Sequence, residues 1–163
     1  MGRRILHTGD LGSASILKVV TNYLATANLV TCCEALVTAK AAGIDLNTAY
    51  EAIKISSGTS FVHETESQVI LNGSRDISFT MDLVKKDVGL FKEVADRAGI
   101  PLEIAPMLVD IFDDGISRYG SREHPLFFLI PSWWLSDGSI SHTRAELPRG
   151  AAFEPVDAAA AAR

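Results

Sequence analysis

The sequence predicts an all-α, multi-helix domain built on one long, largely buried N-terminal helix. Three observations carry this reading. Apolar residues wrap most of the circumference of the stretch from Ser13 to Ala42 (Ile16, Leu17, Val19, Val20, Tyr23, Leu24, Leu29, Val30, Leu36, Val37). Later segments carry apolar stripes at helical spacing, set between capping residues and glycine or proline stops. No run alternates apolar and polar residues, so no strand is predicted.

The first helix runs to Ala42 and ends at Gly43, placed as a C′ glycine. At 1.5 Å per residue it is about 45 Å long, more than a domain of this size needs. A helix apolar nearly all round must be covered on all sides, which points to a partner surface. Asp45 or Asn47 can cap a second helix reaching Ser56, followed by a turn over Ser56–Ser60. The third helix spans Phe61 to Leu71 and stops at Asn72-Gly73. Thr80 or Ser78 caps a fourth through Ala98, with Val84, Val88, Phe91 and Ala95 facing a core, and Gly99-Ile-Pro101 breaks it. The fifth, Glu103 to Tyr119, carries Met107, Leu108, Ile111 and Phe112 and ends before Gly120.

Composition narrows the function. With 47% hydrophobic residues the 163-residue chain can bury a core. A net charge of −5, with only Arg3-Arg4 and Lys85-Lys86 as basic pairs, argues against a nucleic-acid partner or an anionic membrane surface. No stretch reaches about 18 consecutive apolar residues, because Lys18, Thr21, Asn22, Thr26, Asn28 and Thr31 interrupt the longest one. The two cysteines, Cys32 and Cys33, are adjacent and project about 100° apart on a helix. That geometry suits reduced thiols better than a disulfide and fits a reducing cytoplasm. No metal is expected: His7, His124 and His142 lack ligand spacing, and His63-Glu64 lacks the second histidine of H-E-x-x-H. There is no nucleophile elbow of the form G-x-S-x-G and no phosphate loop.

Lys18 is the only charge between Ile16 and Cys33. An ammonium on so apolar a helix is paired, reaches out to water, or is used for chemistry. Asn22 lies four residues on, so the two polar heads share one face. The glycine-bearing entry over residues 9–13 puts Lys18 near the helix N-terminus, where the dipole favours bound carboxylates.

The pattern Gly9-x-x-Gly12-x-Ala14-x-x-x-Lys18-x-x-x-Asn22 resembles the G-x-x-G-x-G-x-x-x-K-x-x-x-N signature of the β-hydroxyacid dehydrogenase family. That family includes 3-hydroxyisobutyrate dehydrogenase and is related to 6-phosphogluconate dehydrogenase. A second segment, Phe79-x-x-x-Leu83-x-x-Lys86-Asp87-x-Gly89-Leu90, is similar to F-x-x-x-L-x-x-K-D-x-G-L of the same proteins. The resemblance covers about residues 5–122. It departs at Ala14, where the family has glycine and a methyl group could crowd the substrate loop.

The resemblance implies a fold like the C-terminal domain of 6-phosphogluconate dehydrogenase. It implies Lys18 as the catalytic lysine that exchanges a proton with a substrate hydroxyl, and Asn22 as a group that orients the substrate. Gly12 and Ser13 would offer backbone N–H groups to a substrate carboxylate, although an ordinary N-terminal turn explains them equally. Lys86 would reach the cofactor, NAD or NADP, with an i,i+4 pair to Asp82 as the plain alternative. Asp87 would hold its motif in place. Ser57 and Gly58 could line the mouth of the site or form a simple turn. The substrate implied is a small 3-hydroxy acid, and the implied assembly is a homodimer through the long first helix.

The twelve glycines never form a G-x-G, so the dinucleotide-binding fingerprint is not in this sequence. Residues 1–12 are therefore expected to be a remnant of an interdomain connection and residues 13–122 a helical substrate-binding and dimerisation domain. Residues 123–163, with Trp133 and Trp134, a Gly/Pro-punctuated stretch and an alanine-rich end, are expected to be a divergent, poorly ordered tail. Two readings stand: the helical half of an NAD(P)-dependent 3-hydroxyacid dehydrogenase, inactive alone, or a non-enzymatic helical dimerisation module.

Overall fold

Why the long first helix stops where it does is visible in a computed structural model, which describes residues 5–72, 74, 77 and 79–129. Gly43 adopts φ +82°, its N–H bonds to the Lys40 carbonyl, and the Ile44 N–H reaches back to Ala39. A residue with a Cβ resists that backbone shape, so the helix ends there. The described residues form α1 (Ser13–Ala41), α2 (Leu46–Lys54), α3 (Phe61–Leu71), α4 (Met81–Arg97), α5 (Ile104–Tyr119) and α6 (Pro125–Leu129), with no strand among them. The all-α architecture read from the sequence is the architecture of the described residues.

The caps follow the local chemistry. The Asp45 carboxylate accepts from the Thr48 N–H and opens α2, and the Ser60 hydroxyl accepts from His63 N–H and opens α3. Thr80 is the N-cap of α4, but its hydroxyl turns to the Asp82 carboxylate instead of a backbone N–H. The first N–H groups of α4 are taken by carbonyls from the end of the domain: Met81 donates to Glu123 and Asp82 to Ser121, each at 3.0 Å. The other proposed cap, Ser78, lies outside the described residues, as do Arg3, Arg4, Gly73 and His142.

The C-terminal half of α1 is a spine with a core on each side. On one side Leu29, Cys33 and Leu36 pack with Ala49, Ile70 and Leu126 of α2, α3 and α6. On the other, Val30 packs with Met81, Val84 and Val88 of α4 and with Ala105, Leu108 and Phe112 of α5. The α4 stripe predicted from spacing is therefore the one that is buried. In α5, Leu108 and Phe112 are buried, but Met107 points to solvent.

Two expectations change. α1 is not largely buried within this chain: its buried residues are Thr26, Leu29, Val30, Cys33 and Leu36, and Ile16, Leu17 and Leu24 are exposed. The reason is length, since 29 residues span about 44 Å while α3 and α4 beside it span about 17 and 26 Å. The boundary drawn at 122 also falls too early, because Pro125 and Leu126 are fully buried and α6 closes the first core. The rest of the expected tail, residues 130–163, lies outside the described residues. By length and composition alone α1 could cross a membrane, with a mean hydropathy of 1.3 over its best 18 residues. Yet its polar side chains at 18 and 22 bond to α4, which holds the helix against the protein's own layer.

Candidate active site

α1 and α4 bring the two sequence motifs together. Lys18 and Asn22 lie one turn apart on α1, and both aim at Asp87 on α4, which is 65 and 69 residues away in sequence. Lys18 Nζ lies 3.2 Å from Asp87 Oδ2, and Asn22 Nδ2 donates to the same oxygen in a close contact. Lys86 Nζ lies 3.6 Å from the other carboxylate oxygen, Oδ1. Asp87 is 3% exposed, whereas the Lys18 and Lys86 side chains are 63% and 60% exposed. One buried carboxylate thus anchors two solvent-facing ammonium groups and one amide, leaving a net positive charge at the surface of the α1–α4 seam.

The electrostatics favour the charged carboxylate. Burial pushes the Asp87 carboxyl up, but hydrogen bonds from Asn22 and Lys18 and the charges of Lys18 and Lys86 outweigh it and hold it below the ordinary carboxylate range. The Lys18 side chain stays largely in solvent, so this chain by itself does not desolvate its ammonium. The amide of Asn22 is fixed by Asp87 at one N–H, which leaves its second N–H and its carbonyl as the chemistry it can offer. Around this cluster Tyr23 stacks flat on Phe91, ring centroids 4.0 Å apart, and pins α1 to α4 between the polar pair and the core.

Other expected site residues lie elsewhere. Gly12 is the exposed N-cap of α1 with φ +96°, and Ser13 begins the helix. The Ser13 N–H and hydroxyl both donate to the Asp10 carbonyl, at 3.0 and 2.7 Å, so that N–H is turned back into its own turn. Ala14 is exposed. Lys86 does not pair with Asp82, which binds Thr80, Leu83 N–H and Arg122 instead. Gly58 lines a separate cavity of about 250 Å³ with Cys32, Ser60 and His63. There His63 Nε2 donates to the Tyr50 carbonyl at 3.0 Å, and Ser67 and Cys32 approach its Nδ1. Burial pushes both thiols up, Cys33 strongly and Cys32 less because Ser67 bonds to it, and both cysteines are free.

The spacing of Lys18 and Asn22 marked both as a pair. What sequence reasoning undervalued is Asp87, taken only as a brace for its own motif; the adjoining lysine in Lys86-Asp87 was the available signal. A cavity of about 480 Å³ beside Asn22 left no signal in the sequence at all.

Comparison with known proteins defines the class. Residues 12–124 match the family model described as "NAD-binding of NADP-dependent 3-hydroxyisobutyrate dehydrogenase". The chain belongs to this family of hydroxyacid dehydrogenase segments. Among curated relatives it is 35% identical over 124 residues to 2-(hydroxymethyl)glutarate dehydrogenase of Eubacterium barkeri, covering 76% of this chain and 41% of that protein. It is 27% identical to L-threonate dehydrogenase of Escherichia coli K12, covering 69% of this chain and 37% of that one. Its fold matches a crystal structure of 3-hydroxyisobutyrate dehydrogenase from Salmonella typhimurium with a TM-score of 0.59 and 27% identity, over 69% of this chain and 40% of that one. The chain spans about two fifths of the length of the curated relatives it matches.

Proposed function

We propose that this chain is the substrate-binding and catalytic helical half of an NAD(P)-dependent dehydrogenase of small 3-hydroxy acids. The single observation behind this is the convergence of Lys18, Asn22 and Lys86 on the buried Asp87. In this reading Asp87 orients the Lys18 ammonium and the Asn22 amide toward one point outside the α1–α4 seam. Lys18 exchanges a proton with the substrate hydroxyl oxygen, and Asn22 hydrogen-bonds the substrate and fixes its pose. The net positive charge left around Asp87 attracts the substrate carboxylate. Gly12 keeps a place at the positive end of α1, while Ser13, with its N–H already bonded, contributes position rather than a free donor.

NAD or NADP supplies the hydride acceptor. The residues at hand fit its edge only. Lys86 is exposed and near a single carboxylate, suited to a phosphate or ribose oxygen, but the sequence holds no G-x-G to cradle a pyrophosphate. The main cradle is then a Rossmann domain, and the chain by itself turns over little or nothing. The reading includes a reducing cytoplasm, a homodimer through α1, and neither nucleic acid nor a membrane as partner. A second reading, a helical dimerisation module without catalysis, is favoured by one observation: Ile16, Leu17 and Leu24 are exposed on α1.

The test is NAD(P)-linked oxidation of a panel of 3-hydroxy acids by the chain alone and by the chain supplied with a relative's Rossmann domain. Activity restored only by the Rossmann domain, and lost in Lys18→Ala with helicity intact, is the expected result. Turnover unchanged in Lys18→Ala removes the mechanism and leaves the dimerisation module.

A further inference from the structure

Lys18, Asn22 and Thr26 follow one another at four-residue intervals along one face of α1, each step about 6 Å. The first two form the polar cluster with Asp87. The second and third open into the cavity of about 480 Å³ between α1, α3 and the residues that lead into α4. That volume is in the range of small-molecule sites, and the walls have the matching character: Leu29, Val62, Val69 and Phe79 make them apolar. Asn22 is shared, so the cavity begins where the polar cluster ends.

One charged side chain stands among the described lining residues, Glu66 on α3. No lysine, arginine or histidine among them offsets it. Burial alone pushes the Glu66 carboxyl up from its ordinary value, which marks it as poorly solvated. A second carboxylate entering this space would meet a like charge with no cation among the described lining residues, and the apolar walls would strip its water.

We infer that this cavity is the subsite for the substrate's side chain, and that it accepts an uncharged, apolar chain while Glu66 excludes a distal carboxylate. The inference rests on the dehydrogenase reading for the position of the substrate's head, next to Lys18 and Asn22, but not for the cavity's preference. It makes the substrate class a 3-hydroxy acid bearing one carboxylate and an alkyl arm, not a dicarboxylate.

The experiment is amide NMR titration of the purified chain with three simple probes. Pentan-1-ol reads the cavity without a head group; pentanoate and glutarate share a carboxylate and differ in a distal methyl against a distal carboxylate. Expected are shifts at the Val62 and Val69 amides with pentan-1-ol, and pentanoate binding at least tenfold more tightly than glutarate. In Glu66→Gln the two acids should come within about threefold of each other. Absence of the pentan-1-ol shifts, equal affinities for the two acids, or an unchanged ratio in Glu66→Gln overturns the inference. Lys18→Ala separates it from the function it rests on: pentanoate affinity should fall while pentan-1-ol is unaffected. If neither acid responds to Lys18→Ala, the reading of Lys18 is lost, and the pentan-1-ol and Glu66→Gln results still decide the cavity.

Discussion

A carboxylate shared by two lysines and an amide, and itself almost wholly buried, controls more than its own charge. Replacing Asp87 by Ala removes the acceptor of Asn22 and the counter-charge of Lys18 and Lys86. The exposed ammonium groups can turn to water, so the loss in stability comes mainly from the amide and the vacated space, about 1–3 kcal/mol in urea unfolding. Once the chain is assembled with a Rossmann domain, Lys18→Ala should lower kcat by about 10²–10⁴. Asp87→Asn, which keeps an oxygen but loses the charge, should cost less than Lys18→Ala. Equal losses would mean that Asp87 takes part in proton transfer directly. The acid limb carries a further expectation. Asp87 titrates below its ordinary value of 3.8, so its stabilisation is complete above that value and fades as pH falls through the lower, folded value. The stability gap between wild type and Asp87→Asn should therefore be constant near neutrality and close below about pH 4, which urea melts at pH 7, 5 and 3 would reveal. Lys18 and Asn22 were legible because a four-residue interval fixes a shared helix face. Their common partner was not, since a contact across 65 residues is a product of helix packing that local spacing does not encode. The bond from the Ser13 N–H to the Asp10 carbonyl, three residues back, was not legible either, because the motif carries no sign of that turn.

At the scale of the elements, the five longer helices were readable with their ends, because caps and stops are local chemistry. Gly43 and Gly99, at φ +82° and +68°, terminate α1 and α4 where left-handed backbone is required. α6 was not readable. Five residues hold no helical period, and Pro125-Leu126 look like any apolar stretch until Leu29, Leu36 and Ile70 surround them. This short helix completes the first core and follows the loop whose carbonyls cap α4, so it belongs to the folded unit. Leu126→Ala should then cost about 2–5 kcal/mol, comparable with other fully buried leucines. A cost below 1 kcal/mol in urea unfolding would place α6 outside the cooperative unit.

For the whole molecule, the open question is what covers the front of α1. Leu17 and Leu24 are seven residues apart and share a face, flanked by Ile16, and all three stay exposed while the other helices cover the rear half. Each leucine fully removed from water contributes about 1.5–3 kcal/mol. Two copies pairing along this face would bury four leucines, enough to offset part of the cost of association if the surfaces interlock. The polar seam argues for the same arrangement: a second α1 laid near Lys18 would exclude water from an ammonium that this chain leaves in solvent. Sedimentation of the purified chain should show a dimer, and Leu17→Glu with Leu24→Glu should convert it to monomer with unchanged helical circular dichroism. The double variant introduces charge only on an exposed face, so unfolding is not expected to confuse the result. A wild-type chain that stays monomeric at 100 times the concentration of an activity assay would exclude self-pairing, and the face would then belong to a domain or partner of different sequence.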